Sequence, residues 1–184
     1  MRMRPADFHI ILRLILLISV FNGEINIKEL HGQSRESLLK AGYIEKFTHF
    51  VQWPDASVDT FRITVIGKNT FGNDLEDLFR KTKVQNNPVK ISYISSIEKI
   101  SDCMILFISG SEKNNLEKIL KYTSGKPILT ISDSRGFGVT GVIINMFSEN
   151  EYIKYEVNKL TLEKSGLTIS SLLLNYAVII KSDD

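Results

Sequence analysis

Large apolar residues recur along residues 34–54 at spacings of four and three, which places them on one face of an amphipathic helix. They are Leu39, Tyr43, Phe47 and Phe50. Ser34 is the predicted N-terminal cap, and Pro54 is the predicted end, because the residue before a proline avoids the helical region. We therefore predict an amphipathic helix whose last turns carry aromatic residues.

Further along, short β-rich runs alternate with segments of helical periodicity. The predicted strands are FRITVIG (61–67), PVKISYIS (88–95), CMILFIS (103–109) and PILTISD (127–133). The predicted helices among them are FGNDLEDLFRKT (71–82) and NNLEKILKYT (114–123). Such alternation is typical of βαβ units and a mainly parallel sheet. CMILFIS is apolar almost throughout, as expected for a central strand covered on both faces.

The alternation ends near the C-terminus. The segment 141–158 holds two β-rich runs around SENE, which predicts an antiparallel hairpin. KLTLEKSG (159–166) predicts a short helix capped by Asn158 and closed by Gly166, and SSLLLNYAVII (170–180) predicts a last helix capped by Ser170. We expect one domain over residues 34–180, an α/β three-layer sandwich with a mainly parallel sheet and a C-terminal antiparallel hairpin.

The N-terminus differs from the rest of the 184-residue chain. Arg2 and Arg4 precede the apolar run Ile10–Phe21, which is too short for a transmembrane helix and typical of a secretory signal. Arg13 interrupts the run, and no clean small-x-small cleavage site follows it. Residues 1–23 are therefore predicted as a signal peptide or an N-terminal membrane anchor, with a buried helix as the alternative. We expect export to the periplasm.

Gly136 to Gly141 spell G-x-G-x-x-G, which suggests a dinucleotide site. A dinucleotide fingerprint needs a helix after the glycines, whereas the β run VIINMF follows here. We therefore predict no nucleotide cofactor, and interpret the glycines as supplying positive φ and close backbone approach in a tight turn between strands.

No other catalytic or metal-binding pattern stands out in the sequence. His9, His31 and His49 lack metal-ligand spacing, and no G-x-S-x-G is present. The single cysteine, Cys103, is expected to be a buried small hydrophobe, with a reactive thiol as the alternative. A net charge of +2 gives no support for nucleic-acid binding. We predict no catalytic residues, no cofactor and no metal.

Four residues around the glycine loop (Gly136–Gly141) and the hairpin that follows it are candidates for partner binding. Arg135 and Phe137 are expected to be exposed side by side at the loop tip, although Phe137 could instead fold back onto the sheet. Ile144 would add apolar contact, unless it belongs to the core. Alternation in YIKYEVN puts Glu156 on the polar face, where it would meet a partner or be solvated. The alternative surface is an aromatic stripe of Phe47, Phe50 and Trp53, for which helical periodicity favours a core position.

Several segments in one order resemble the YfiR family of exported bacterial proteins. They are KAGYIEKFTHFVQWP, FRITVIGKNTFGNDLEDLF, CMILFIS, ILTISDSRGFGVTGVIINM and IKYEVNKLTLEKSGLTISSLLLNYA. The resemblance covers Lys40 to Ala177, nearly the whole predicted mature chain.

The resemblance implies a non-enzymatic periplasmic regulator that binds the periplasmic part of an inner-membrane diguanylate cyclase and holds it inactive. Release of the cyclase would raise cyclic di-GMP and favour biofilm. The resemblance also implies a homodimer, and in some members disulfide control, which a chain with only Cys103 lacks within one subunit. Since the same domain occurs fused to signalling kinases, the alternative is a small-ligand sensor feeding a sensor kinase. Such a sensor would use the cleft at the carboxyl ends of the strands.

Overall fold

The computed structural model describes residues 27–54, 58–150 and 152–181. The predicted leader, residues 1–23, lies outside the described residues. The chain divides into two compact units, residues 1–36 and residues 37–184. Of the first unit only residues 27–36 are described, and they are helical. The sheet and all the sites discussed below belong to the second unit.

The described residues form ten strands, six α-helices and two 3-10 turns in an order that alternates through the middle of the chain. The strands are β1 (Val51–Gln52), β2 (Phe61–Ile66), β3 (Lys83–Val84), β4 (Asn87–Ile94), β5 (Ile105–Ile108), β6 (Leu129–Ser132), β7 (Ile144–Glu149), β8 (Tyr152–Asn158), β9 (Thr168–Ile169) and β10 (Val178–Ile180). The helices are α1 (Ile27–Phe50), α2 (Asp74–Phe79), α3 (Leu116–Thr123), α4 (Phe137–Thr140), α5 (Lys159–Ser165) and α6 (Ser171–Leu174). The 3-10 turns are Ile97–Lys99 and Gly110–Asn115.

Eight of these strands form one sheet in the order β10-β8-β7-β6-β5-β2-β4-β3. The central strands β4, β2, β5, β6 and β7 run parallel. β8 is antiparallel to β7 and parallel to β10, and β3 is antiparallel to β4. A separate two-stranded sheet pairs β1 with β9. The predicted mainly parallel α/β sheet with a C-terminal hairpin is confirmed.

Both faces of the central sheet are covered by apolar side chains. All four residues of β5 are buried, with Ile105 and Phe107 in one core cluster and Leu106 and Ile108 in the other. Residues of α1 and α2 join the first cluster, and residues of α3 and α4 join the second. Because neighbouring strand residues point to opposite faces, this division gives the predicted three layers.

The two ends of the helical pattern differ from the prediction. α1 begins at Ile27, so Ser34 is not its cap, and it ends at Phe50 before Pro54 is reached. Backbone pairing of Val51 with Ile169 takes over at that point and draws the chain into β1. The pairing of β1 with β9 has therefore ended the helix at Phe50, although the helical pattern of the sequence continues beyond it.

The predicted last helix is also shorter than expected, because α6 ends at Leu174 and residues 178–180 form β10. Val178, Ile179 and Ile180 pair with β8, and their β-branched side chains favour a strand over a helix. The caps in this region are confirmed. Asn158 Oδ1 accepts a hydrogen bond from Thr161 N at 2.9 Å, and Ser170 Oγ accepts one from Leu172 N at 3.3 Å.

Candidate binding sites

The glycine loop between β6 and β7 contains a helix rather than a tight turn. α4 is a single turn, and Gly136 before it has a φ of 85°, which a residue with a side chain rarely adopts. β6 and β7 are parallel, so the chain has to cross over between them and a hairpin turn cannot join them. The expected positive φ is present, whereas the expected tight turn between strands is wrong.

Two of the four candidate partner-binding residues are buried. Phe137 is 4% exposed and packs in the cluster that α3 and α4 form on the sheet, and Ile144 lies inside β7 with no exposed surface. The expectation that Phe137 is exposed at the loop tip is therefore wrong, and the alternative, that it folds back onto the sheet, is what the structure shows. Arg135 is exposed.

Glu156, the fourth candidate, is half-buried beneath the glycine loop. Its Oε1 accepts a hydrogen bond from Asn145 Nδ2 at 2.8 Å. Asn158 Nδ2 donates to Gly138 O at 2.9 Å, and a Cβ added to Gly138 would collide with Glu156 Oε1. The polar face of β8 therefore holds the glycine loop in place. Gly138 is required for close approach, as expected, but to a carboxylate of the same chain.

At the carboxyl ends of the parallel strands, the loops lie against one another. Ser111 Oγ accepts a hydrogen bond from Lys68 N at 2.9 Å, and a Cβ on Gly110 would lie 2.6 Å from Ser134 Oγ. Lys40 Nζ forms an ion pair with Asp133 Oδ2 at 2.7 Å, between side chains that are both largely buried. The loops therefore contact one another at the edge where a cleft was expected for a small-ligand sensor.

A cavity of about 460 Å³ opens instead at the amino ends of the parallel strands, and we call it the amino-edge cavity. Its wall is apolar and its mouth is charged. The lining residues are Trp53, Val58, Phe61, Arg62, Gln85, Ser101, Asp102, Cys103, Met104, Tyr122, Lys126, Pro127 and Ile128. A site of this volume is large enough for a small organic molecule.

Cys103 forms part of the wall of the amino-edge cavity and is a buried free cysteine. Burial raises the pKa of its thiol to about 11, so the thiol stays protonated at neutral pH. The expected buried cysteine is thus what the structure shows. Within the described part of the chain, no three His, Cys, Asp or Glu side chains are grouped to hold a metal ion.

A larger apolar groove, of about 700 Å³, lies where α1, β8 and the C-terminal segment meet, and we call it the terminal groove. Its lining residues are Tyr43, Lys46, Phe47, Phe50, Ile153, Lys154, Tyr155, Leu172, Leu173, Asn175, Tyr176, Ala177 and Val178. Tyr176 is 82% exposed, Leu172 61% and Val178 53%. Large apolar side chains that stay in water and lie together mark binding surfaces.

The floor of the terminal groove is held by two tyrosine hydrogen bonds and by contacts between aromatic rings. Tyr155 OH donates to Leu173 O at 2.7 Å, and Tyr43 OH donates to Ile153 O at 2.9 Å. The Phe47 and Tyr155 rings meet edge to face, with centroids 5.2 Å apart. Burial raises the pKa of the Tyr155 phenol above its ordinary value, with the nearby Tyr43 contributing. Phe47 is buried, as the core reading of the aromatic stripe predicted.

The sequence pattern does not reveal the exposed side of the terminal groove. Leu172, Tyr176 and Val178 were assigned to a last helix, whose apolar face would be expected in the core. The β-branched run Val178–Ile180 carried the signal for a strand, but its partner β8 lies about twenty residues earlier in the chain.

The family model of YfiR/HmsC-like proteins matches residues 37–178, which include all the lining residues of the two cavities and all of the sheet except Ile179 and Ile180 of β10. Proteins of this family are known as regulators rather than enzymes, act in cyclic di-GMP signalling, and are typically exported. Within the described residues, every helix is too short or too polar to cross a lipid bilayer. No curated protein is significantly similar to the chain in sequence.

The solved structures with a similar fold include the ABC domain from Streptococcus pneumoniae in complex with L-Trp. Its TM-score is 0.50 at 10% sequence identity, and the match covers 65% of this chain and 55% of that one. This likeness concerns the fold alone. Since the family model spans most of the chain, the protein belongs to the YfiR/HmsC-like family.

Proposed function

We propose that the protein is a non-enzymatic periplasmic regulator that binds the periplasmic part of an inner-membrane diguanylate cyclase and represses it, which lowers cyclic di-GMP and biofilm formation. The family supports a regulator of cyclic di-GMP signalling. One structural observation carries the proposed mode of action, namely the exposed apolar side of the terminal groove. A repressor that acts by docking needs such a surface, since desolvation of apolar side chains drives association.

The groove offers two kinds of contact to one partner segment. Leu172, Tyr176 and Val178 supply apolar area, and aromatic side chains are enriched among interface anchors. β10 is the last strand of the eight-stranded sheet at this end, so its outer edge has no strand partner among the described residues. An extended segment of the partner would add to this edge through backbone hydrogen bonds.

Charge at the groove favours an acidic partner surface. Lys46 and Lys154 line it, and none of its lining residues is an aspartate or glutamate. Lys154 Nζ is paired with Glu149 on the neighbouring strand, so Lys46 provides the more available charge. Rim charges of this kind steer association and set orientation more than they add affinity.

The candidate residues around the glycine loop have two different roles in this proposal, according to whether they are exposed or buried. Arg135 is exposed and is proposed as an outlying contact, with Glu156 reachable only in part. Phe137 and Ile144 are buried, so we propose that they stabilise the glycine loop and β7 from the core and do not touch the partner. A homodimer is also part of the proposal, to be measured by sedimentation of the purified protein.

The proposed docking is tested by photo-crosslinking in the native bacterium together with measurement of cyclic di-GMP. A photoreactive amino acid at Tyr176 should capture the cyclase, while the same group at Val139, exposed on α4, is the matched control for the glycine loop. Tyr176→Ser and Leu172→Ser should each raise cyclic di-GMP towards the level of a deletion strain. Capture from Val139 alone would place the interface at the glycine loop, and unchanged cyclic di-GMP in both serine variants would overturn docking at the groove.

The second candidate function is a small-ligand sensor that feeds a sensor kinase. The amino-edge cavity favours it, because it combines an apolar wall with charged groups at its mouth. In this case the binding of a ligand, and not the release of a partner, would control signalling. A change in cyclic di-GMP that follows an added ligand and persists in Tyr176→Ser would favour the sensor.

A further inference from the structure

We propose that the amino-edge cavity is a binding site for a small organic acid, whose apolar body fits against Trp53 and Phe61 and whose carboxylate or phosphate lies between Arg62 and Lys126. The site goes beyond partner docking, because the amino-edge cavity and the terminal groove share no lining residue.

The cavity forms where several strands begin. Phe61 is the first residue of β2, Met104 precedes β5, and Ile128 precedes β6. Tyr122 comes from the last turn of α3, and Gln85 from the turn that joins β3 to β4. Residues distant in sequence therefore converge on one space because parallel strands start at the same edge of the sheet.

The apolar wall is preformed. Trp53 Nε1 donates to Met104 O at 3.2 Å, and the Trp53 ring meets Phe61 edge to face with centroids 5.1 Å apart. Phe61 and Ile128 are buried. A wall held in this way loses little conformational freedom when a ligand binds, which favours affinity.

The mouth of the cavity is positively charged. Its lining holds two cationic side chains, Arg62 and Lys126, and one carboxylate, Asp102. Within the described residues, none of the three forms an ion pair. Lys126 Nζ lies 3.5 Å from the centre of the Tyr122 ring, and Tyr122 OH donates to Ile100 O at 2.8 Å. The Lys126 ammonium is thus kept at the mouth, and the guanidinium of Arg62 can bind an anion with two hydrogen bonds.

The chemistry of the ligand follows from this arrangement. A buried neutral thiol, aromatic rings and aliphatic side chains form the wall and offer no partner for a second polar group deep in the cavity. The excess of positive charge at the mouth selects an anion over a neutral or cationic head group. An apolar body with one terminal acid matches both parts.

Trp53 is the only tryptophan of the chain, so its emission reports on this cavity directly. The probes are 4-phenylbutyrate and its uncharged amide, 4-phenylbutyramide, because a phenyl ring absorbs little at the wavelengths that excite tryptophan. With the full chain, the acid should change the Trp53 emission saturably and raise the melting temperature. The amide should bind about tenfold more weakly, since it lacks the charge-assisted hydrogen bonds.

The matched variants are Arg62→Gln with Lys126→Gln, against Lys118→Gln on the exposed side of α3. The double variant should lose about tenfold in affinity for the acid and bind acid and amide alike, while Lys118→Gln should match the parent. Higher salt should weaken the binding of the acid and leave the binding of the amide unchanged, because the charged mouth of the cavity is exposed to solvent. No saturable change in emission with either probe, or equal affinity of the parent for acid and amide, would overturn the proposal.

Discussion

The glycine loop and the terminal groove are the two regions of this protein that flank β8, and they differ in what their side chains face. In the glycine loop the aromatic residue Phe137 is buried, and the polar residues of β8 are used within the chain. In the groove Tyr176 and Val178 face water without a function in the core. The comparison shows that a motif rich in glycine can serve internal packing, while large apolar side chains outside that motif stay exposed to water.

The largest expected effect concerns Phe137 in the glycine loop. Phe137→Ala should lower the free energy of unfolding by about 3 kcal/mol or more, because it removes a buried ring and leaves a cavity. Chemical denaturation measures this loss. Phe137→Leu, which keeps most of the volume, is the control and should cost about 1 kcal/mol. A stability loss in Phe137→Ala below that of the leucine control would contradict a packing role.

The second prediction concerns Asn158, which joins the glycine loop to α5. Asn158→Ala should destabilise the protein by about 2 kcal/mol, since it removes both the helix cap and the hydrogen bond to Gly138 O. Asn158→Ser keeps a capping oxygen and should lose about half as much. Equal losses in the two variants, measured by denaturation, would show that the cap contributes nothing.

The third prediction is the pH dependence of Tyr155 in the floor of the groove. The pKa of its phenol is raised in the folded protein, so the folded state holds the proton more tightly than the unfolded state. Its contribution to stability is complete below the ordinary phenol pKa of about 10 and is lost as pH rises through the raised folded value.

Tyr155→Phe tests this dependence. At neutral pH the variant should be less stable by about 1 kcal/mol, because Leu173 O loses its hydrogen-bond donor. The difference should shrink as pH rises above about 10, where the phenol begins to ionise in the unfolded parent but is still protonated in the folded one. Thermal melts at several pH values measure it, and a difference that grows with pH would contradict the sign.

The smallest expected effect on stability is at the exposed side of the groove. Tyr176→Ser should change the free energy of unfolding by no more than about 0.5 kcal/mol, since the side chain buries little area. The same variant should lose partner binding, so its effect on binding is separate from any effect on stability. In Phe137→Ala, by contrast, the loss of stability comes first and a loss of binding would follow from it. A loss of stability as large as that of Phe137→Ala would remove the contrast between the two regions.

The sequence predicts the central sheet well because its strands carry dense β-branched and apolar runs. β2, β5 and β6 lie where those runs lie, and Asn158 and Ser170 cap the helices they precede. Local patterns of this kind act over a few neighbouring residues and need no knowledge of the fold.

The errors arise where distant segments decide the structure. α1 ends four residues before Pro54 because Val51 pairs with Ile169, and residues 178–180 become a strand because β8 offers an edge. The candidate binding surfaces show the same limit. Neither the burial of Phe137 nor the convergence of Trp53, Arg62 and Lys126 can be read from spacing, because each depends on how the sheet brings separate segments together.

The small sheet of β1 and β9 has a consequence for the order in which the chain folds. It joins Val51 to Ile169, and Ser170 N donates to Phe50 O at 2.9 Å beside it. Closing so long a loop costs much conformational entropy, and two paired residues contribute little stabilising free energy against that cost. This contact should therefore form after the central sheet. We expect the amide of Ser170 to exchange its hydrogen with solvent well before the amides of β2 do, through a local opening that leaves the sheet intact.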